Sequence, residues 1–225
     1  NENLPSSTSM TLTGGKIWGE VSEGFLSTLK NNLTAGGKTY RPVSLWVNWP
    51  VTDNSKQHLI LGGGEKFLHP NVDPSLLSGI MLNPMQQSEP SKIALFAGAQ
   101  YTWKQWKSEE EAKKLNDIAF NFVENGHFED SKVSAAFREL GKHMINQNMD
   151  GRVVKLEESV ELAPKLTDFM TKLKAGQDVT AERTALRAEF AKIKEAAELY
   201  KASGDQKMVA QIHYWLDNAI DQMNA

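Results

Sequence analysis

Near Trp103 the chain changes the way it spaces its apolar residues, and that change divides what each half can become. Up to that point the apolar residues come in short runs, "TYRPVSLWVNW", "HLILGGG" and "SGIMLNP", bounded by glycine, proline and asparagine. This half also holds most of the 16 glycines and all but one of the 8 prolines. Runs of this length with such borders predict strands buried on both faces, joined by stretches long enough for crossover helices. One crossover helix is expected from Gly19 to Leu33, with Val21, Phe25, Leu26 and Leu29 on one side. Another begins near Ser88, with Ser88, Glu89 and Pro90 as cap and first turn, and runs toward Trp103.

From Lys104 onward the spacing turns helical. Ser108 caps "EEEAKKLNDIAFNFVEN", whose glutamates form a solvated first turn at the positive helix end. Leu162, Leu166, Phe169 and Leu173 then fall at steps of three and four, as do Leu186, Phe190, Ile193, Ala197 and Tyr200. Met208, Ile212, Trp215, Ala219 and Met223 repeat the pattern. The loops between them, "AGQDVT" and "SGDQ", are short enough to make consecutive helices antiparallel. The expected fold class is α/β followed by an all-α bundle of about five helices.

Composition removes several functions. A net charge of -3 with no long basic block gives no electrostatic footprint for nucleic acid. No run is apolar for long enough to span a bilayer, and "NENLPSSTSM" lacks the basic start and apolar middle of a secretion signal. Cysteine is absent, which excludes disulfides and thiolate metal ligands. No two of the histidines, at 58, 69, 127, 143 and 213, stand at i, i+4, so no zinc site and no cofactor are expected. His213, beside Tyr214 and Trp215, reads as a structural residue. Acyl transfer has no candidate nucleophile elbow, and neither Gly14-Gly15 nor "LGGGE" fits a phosphate-binding loop.

The chemistry collects where strands end. In parallel α/β sheets ligands bind beyond the C-terminal ends of the strands, and "WVNWPVTD" places Asn48 and Asp53 there beside Trp46 and Trp49. A carboxylate, a carboxamide and an indole face are what a sugar's hydroxyls and C–H groups need. The same residues also suit plain Asx turns around Pro50 with both tryptophans in the core. "SGIMLNP" repeats the design with Asn83, and "TLTGGKIW" gives a third version with Thr13 followed by Gly14 and Gly15.

"MTLTGGKIWGEV", "LWVNWPVTD" and "SGIMLNPMQQSEPSKIALFAGAQYTW" resemble the late barrel strands of the family 84 glycoside hydrolases, the β-N-acetylglucosaminidases often named hyaluronidases and the enzymes that remove N-acetylglucosamine from Ser and Thr. The likeness runs in order from Met10 to Trp106. It implies that residues 1–106 are the C-terminal portion of a catalytic (β/α)8 barrel of the TIM type, and 107–225 a helical bundle domain. It also implies roles: Asp53 for the 4- and 6-hydroxyls of N-acetylglucosamine, Asn83 and Asn48 for neighbouring hydroxyl and acetamido contacts, and Trp46 as a wall around the acetamido methyl. Thr13 lines the same subsite and Ile17 stands at its rim. Where the family usually has tryptophan before the Thr-Gly pair, this chain has Leu12.

In that family the substrate's own acetamido oxygen attacks the anomeric carbon, and two adjacent aspartates on an earlier strand orient the amide and act as acid and base. This sequence contains no Asp-Asp pair. The resemblance therefore implies a C-terminal piece without the catalytic pair, inactive alone, partnered by the missing N-terminal part of the same enzyme and by an N-acetylglucosamine-containing glycan. Three strands of such a barrel are expected to leave two open edges and an apolar face in water. A secreted or cell-surface location is what the resemblance favours. A noncatalytic glycan-binding or helical interaction module is the alternative that the same residues allow.

Overall fold

The computed structural model describes residues 4–53, 58–65, 67–144, 159 and 161–224. Its α/β half contains β1 (Thr11–Leu12), α1 (Glu23–Thr34), β2 (Val43–Pro50), β3 (Leu77–Asn83) and α2 (Ser88–Trp103). The strands form one parallel sheet in the order β1-β2-β3, with α1 as the crossover between the first two. Five further helices follow: α3 (Glu109–Asn125), α4 (Lys132–Gly141), α5 (Leu162–Lys174), α6 (Thr180–Ser203) and α7 (Gln206–Gln222). Among the described residues this matches the helical spacing read from Lys104 onward.

The strands are not buried on both faces as their apolar runs predict. On β2, Val43, Leu45, Val47 and Trp49 alternate into the core, at 1% exposure or less. Ser44, Trp46 and Asn48 lie on the opposite face, which stays open; Trp46 keeps 42% of its surface and its register partner Met81 on β3 keeps 41%. β1 and β3 are the two edges of the sheet. "HLILGGG" forms no strand in its described residues. Leu59, Ile60 and Leu61 are buried, but the Ile60 N–H donates to Met85 Sδ (3.2 Å) and the Leu61 N–H to the Met144 carbonyl (2.6 Å). Separate acceptors satisfy that backbone, so its apolar side chains enter the core without a ladder.

Close backbone approach explains two glycines. A Cβ on Gly98 of α2 would stand 2.4 Å from Leu82 Cδ1, so its absence lets the helix settle on β3. Gly64, in "LGGGE", has φ +78°, and a Cβ there would meet Trp49 Nε1 at 2.7 Å. Trp49 in turn stacks on Phe67, with ring centroids 4.8 Å apart.

One core runs from the sheet into the bundle, through Ile93 and Ala97 to Phe120, Phe137, Ile193, Tyr200 and Ile212. Tyr200 stacks on Phe137 (4.5 Å) and its hydroxyl donates to Glu124 Oε2 (2.7 Å). Ser108 caps α3 as expected, accepting from the Glu111 N–H at 3.1 Å. Ser88 does not cap α2, because the helix begins at Ser88 itself and Gln87 stands at the cap position without a side-chain bond. Gln211 of α7 does that work: its Oε1 accepts from the Glu89 N–H (2.8 Å) and its Nε2 donates to Ser88 Oγ (3.1 Å).

Candidate functional site: the cleft at the strand ends

The site forms where β2 and β3 end. Their pairing jumps from Val47 opposite Leu82 to Pro50 opposite Asn83. That irregularity accompanies a link between the strand-end carboxamides: Asn83 Nδ2 donates to Asn48 Oδ1 at 3.0 Å. The same oxygen accepts from Trp46 Nε1 at 2.7 Å, and Asn48 Nδ2 donates to the Ile17 carbonyl at 2.5 Å. Asn48 thereby ties together three chain segments, β2, β3 and the loop after β1. Its side-chain amide uses both its donor and its acceptor to do so.

Beyond this network lies a cleft of about 320 Å³, lined by Val51, Thr52, Asp53, Asn83, Pro84, Met85, Gln86 and Gln87. Asp53 is exposed and Asn83 half-buried. Met85 forms part of the lining from a buried position, fixed by a hydrogen bond from its N–H to Ser91 Oγ (3.0 Å). An acceptor-only carboxylate therefore faces the same space as carboxamides that both donate and accept, the combination polyol recognition uses.

Of the two readings of "WVNWPVTD", each tryptophan follows a different one. Trp49 is core, at 1% exposure, while Trp46 turns to the open face and is held by Asn48. Ile17, at 66% exposure, joins the network only through its backbone carbonyl. Thr13 is exposed one residue beyond β1 and makes no side-chain hydrogen bond to the others. Gln86 and Gln87 were not singled out from the sequence; the signal for them was the polar turn after "NP" at the end of a strand. His213 is half-buried, with Nδ1 2.8 Å from the Ala210 carbonyl.

A parallel sheet with polar residues gathered at its strand ends, followed by a helical bundle, defines the class as an α/β domain joined to an all-α bundle. The chain belongs to the β-N-acetylglucosaminidase family, whose model matches residues 1–142. A second family model, described as hyaluronidase post-catalytic domain-like, matches residues 161–221. Among solved structures the chain is similar to CpGH84D, with 26% identity and a TM-score of 0.81 over 98% of this chain and 34% of that one. It shares the fold of CpGH84B (23% identity, TM-score 0.76, 99% of this chain and 36% of that one). It also shares the fold of a mutant of the Thermobaculum terrenum O-GlcNAc hydrolase (18%, 0.68, 99% and 44%). The chain thus spans between about a third and less than half of the length of these three solved proteins.

Proposed function

We propose that residues 1–106 are the last strands of a (β/α)8 glycoside hydrolase barrel and 107–225 the helical bundle that follows it. In this reading the chain supplies the distal wall of a subsite for terminal β-linked N-acetylglucosamine, and the catalytic aspartate pair lies outside it. The carrying observation is that Asp53 and Asn83, from the ends of neighbouring strands, line one cleft, with Asn48 joining Asn83 to Trp46.

Asp53 accepts hydrogen bonds from the 4- and 6-hydroxyls, while Asn83 and Asn48 contact the neighbouring hydroxyl and the acetamido group. The half-open face of Trp46 walls the acetamido methyl, with Thr13 and Ile17 at the margin. Holding the acetamido group in place is what a substrate-assisted retaining mechanism requires, since its oxygen is the nucleophile. The open sheet face and the two strand edges support pairing with the enzyme's remaining strands, because such edges otherwise invite nonspecific association.

Turnover of a nitrophenyl N-acetyl-β-glucosaminide tests the proposal, assayed with the chain alone and with its upstream barrel strands present. The expected result is no turnover alone, restored turnover in the complete enzyme, and a kcat/KM lowered roughly 10- to 100-fold by Asp53→Ala, the cost of losing hydrogen bonds to a charged group. Turnover by the isolated chain, or unchanged kcat/KM in both Asp53→Ala and Asn83→Ala, contradicts it.

A further inference from the structure

Between α4 and α6 three buried atoms face one another without a hydrogen-bond partner: Glu139 Oε1, His143 Nε2 and Glu189 Oε1. All lie within 4.8 Å of one another, and the Glu139–His143 pair is 3.6 Å apart. Glu139 as a whole keeps only 9% of its surface. In each carboxylate the other oxygen is held by a lysine. Glu139 Oε2 meets Lys142 Nζ at 3.1 Å, and Glu189 Oε2 meets Lys165 Nζ at 2.6 Å. His143 is oriented from behind, its Nδ1 standing 2.7 Å from Ser159 Oγ. Burial is the largest influence on His143 and pushes its pKa down, against the pull of Glu139, Glu161 and Glu189.

Buried polar atoms that make no hydrogen bond call for a ligand, and two carboxylate oxygens with a braced imidazole nitrogen, approached only by the ammonium of Lys192, are a donor set for a divalent metal. We propose that Glu139, His143 and Glu189 form a binding site for a divalent first-row transition metal such as Zn²⁺, which pins α4 to α6. Metal–ligand bonds of about 2.0–2.2 Å set ligand atoms roughly 3.4 Å apart. The Glu139–His143 pair is near that spacing, and Glu189, within 4.8 Å of both, reaches it by a movement of at most about 1.4 Å.

A cation already stands at the mouth. Lys192 Nζ is 2.9 Å from Glu139 Oε1, off the line of a hydrogen bond, and 4.0 Å from Glu189 Oε1, on a side chain that is 52% exposed. Its ammonium is a tethered competitor, free to swing outward when a divalent ion arrives. The histidine spacing that argued against zinc missed this arrangement because its i, i+4 pair is Glu139 with His143 and its third member comes from another helix.

Titration of ZnCl₂ into chelator-stripped protein, followed by calorimetry and thermal melting, tests the site. One equivalent should bind and raise the melting temperature. Lys192→Met should tighten binding roughly tenfold by removing the competitor, and His143→Gln should weaken it by more than roughly tenfold. If His143→Gln fails to fold, Glu189→Gln serves in its place. Failure of both the wild type and Lys192→Met to bind one equivalent overturns the proposal, as does binding that survives loss of the histidine or of Glu189.

Discussion

Asn83 and Asn48 stand 35 positions apart in the chain, yet their side chains meet at 3.0 Å across the ends of β2 and β3. The contact joins the cleft that contains Asp53 to the indole of Trp46, because Asn48 Oδ1 serves both donors. Removing it in Asn48→Ala leaves Trp46 Nε1 and Asn83 Nδ2 without their acceptor and the Ile17 carbonyl without its donor. A loss of about 1–2 kcal/mol is expected in urea unfolding, since the group is only half-buried.

Asp53 should behave differently. It is exposed at the rim of the cleft, so Asp53→Ala should change stability by no more than about 0.5 kcal/mol. A matched pair of urea curves for the wild type and Asp53→Ala checks this. It separates a ligand-binding role from a structural one.

Gly64 supports the floor beneath β2. Gly64→Ala places a methyl 2.7 Å from Trp49 Nε1 on a backbone with φ +78°, so it combines overpacking with left-handed strain. The expected cost is about 2–4 kcal/mol in denaturant unfolding, the sum of the two effects. Gly36→Ala, equally left-handed at φ +77° but with open space around it, should cost only the backbone part, about 1 kcal/mol.

Acid sensitivity should depend in part on Glu23. Its Oε2 accepts from the Asp73 N–H (2.9 Å) and its Oε1 from Ser27 Oγ (2.6 Å), and the backbone bond is the main reason its carboxyl titrates below the usual 4.5. A carboxylate whose folded pKa is depressed stabilises the fold above the unfolded pKa, and that contribution is lost as pH falls through the folded value. Urea midpoints measured from pH 6 down to pH 3 should therefore fall less steeply in Glu23→Gln than in the wild type.

The sequence showed the helical half well, because apolar steps of three and four along Leu186 to Tyr200 and Met208 to Met223 depend only on local geometry. It also placed Asn48, Asp53 and Asn83 at strand ends, since Asn, Pro and Asp stop a ladder wherever they stand. What it could not show depended on register and distance. Asn48 is a hub only because the β2–β3 pairing jumps before Pro50. "HLILGGG" looks like any buried strand until one asks which acceptors its N–H groups find. The Glu139, His143 and Glu189 cluster draws on α4, the turn just after it and α6, with α5 between them in the chain, so no window of sequence contains it.

The account depends most on Asp53 and Asn83 receiving one sugar, and a crystal structure of the complete enzyme with N-acetylglucosamine bound measures that directly. It should show Asp53 within about 2.5–3.0 Å of two ring hydroxyls, Asn83 on the same sugar, and Trp46 beside the acetamido methyl. A sugar seated elsewhere, or a cleft between Asp53 and Asn83 left empty beside a bound ligand, would contradict it.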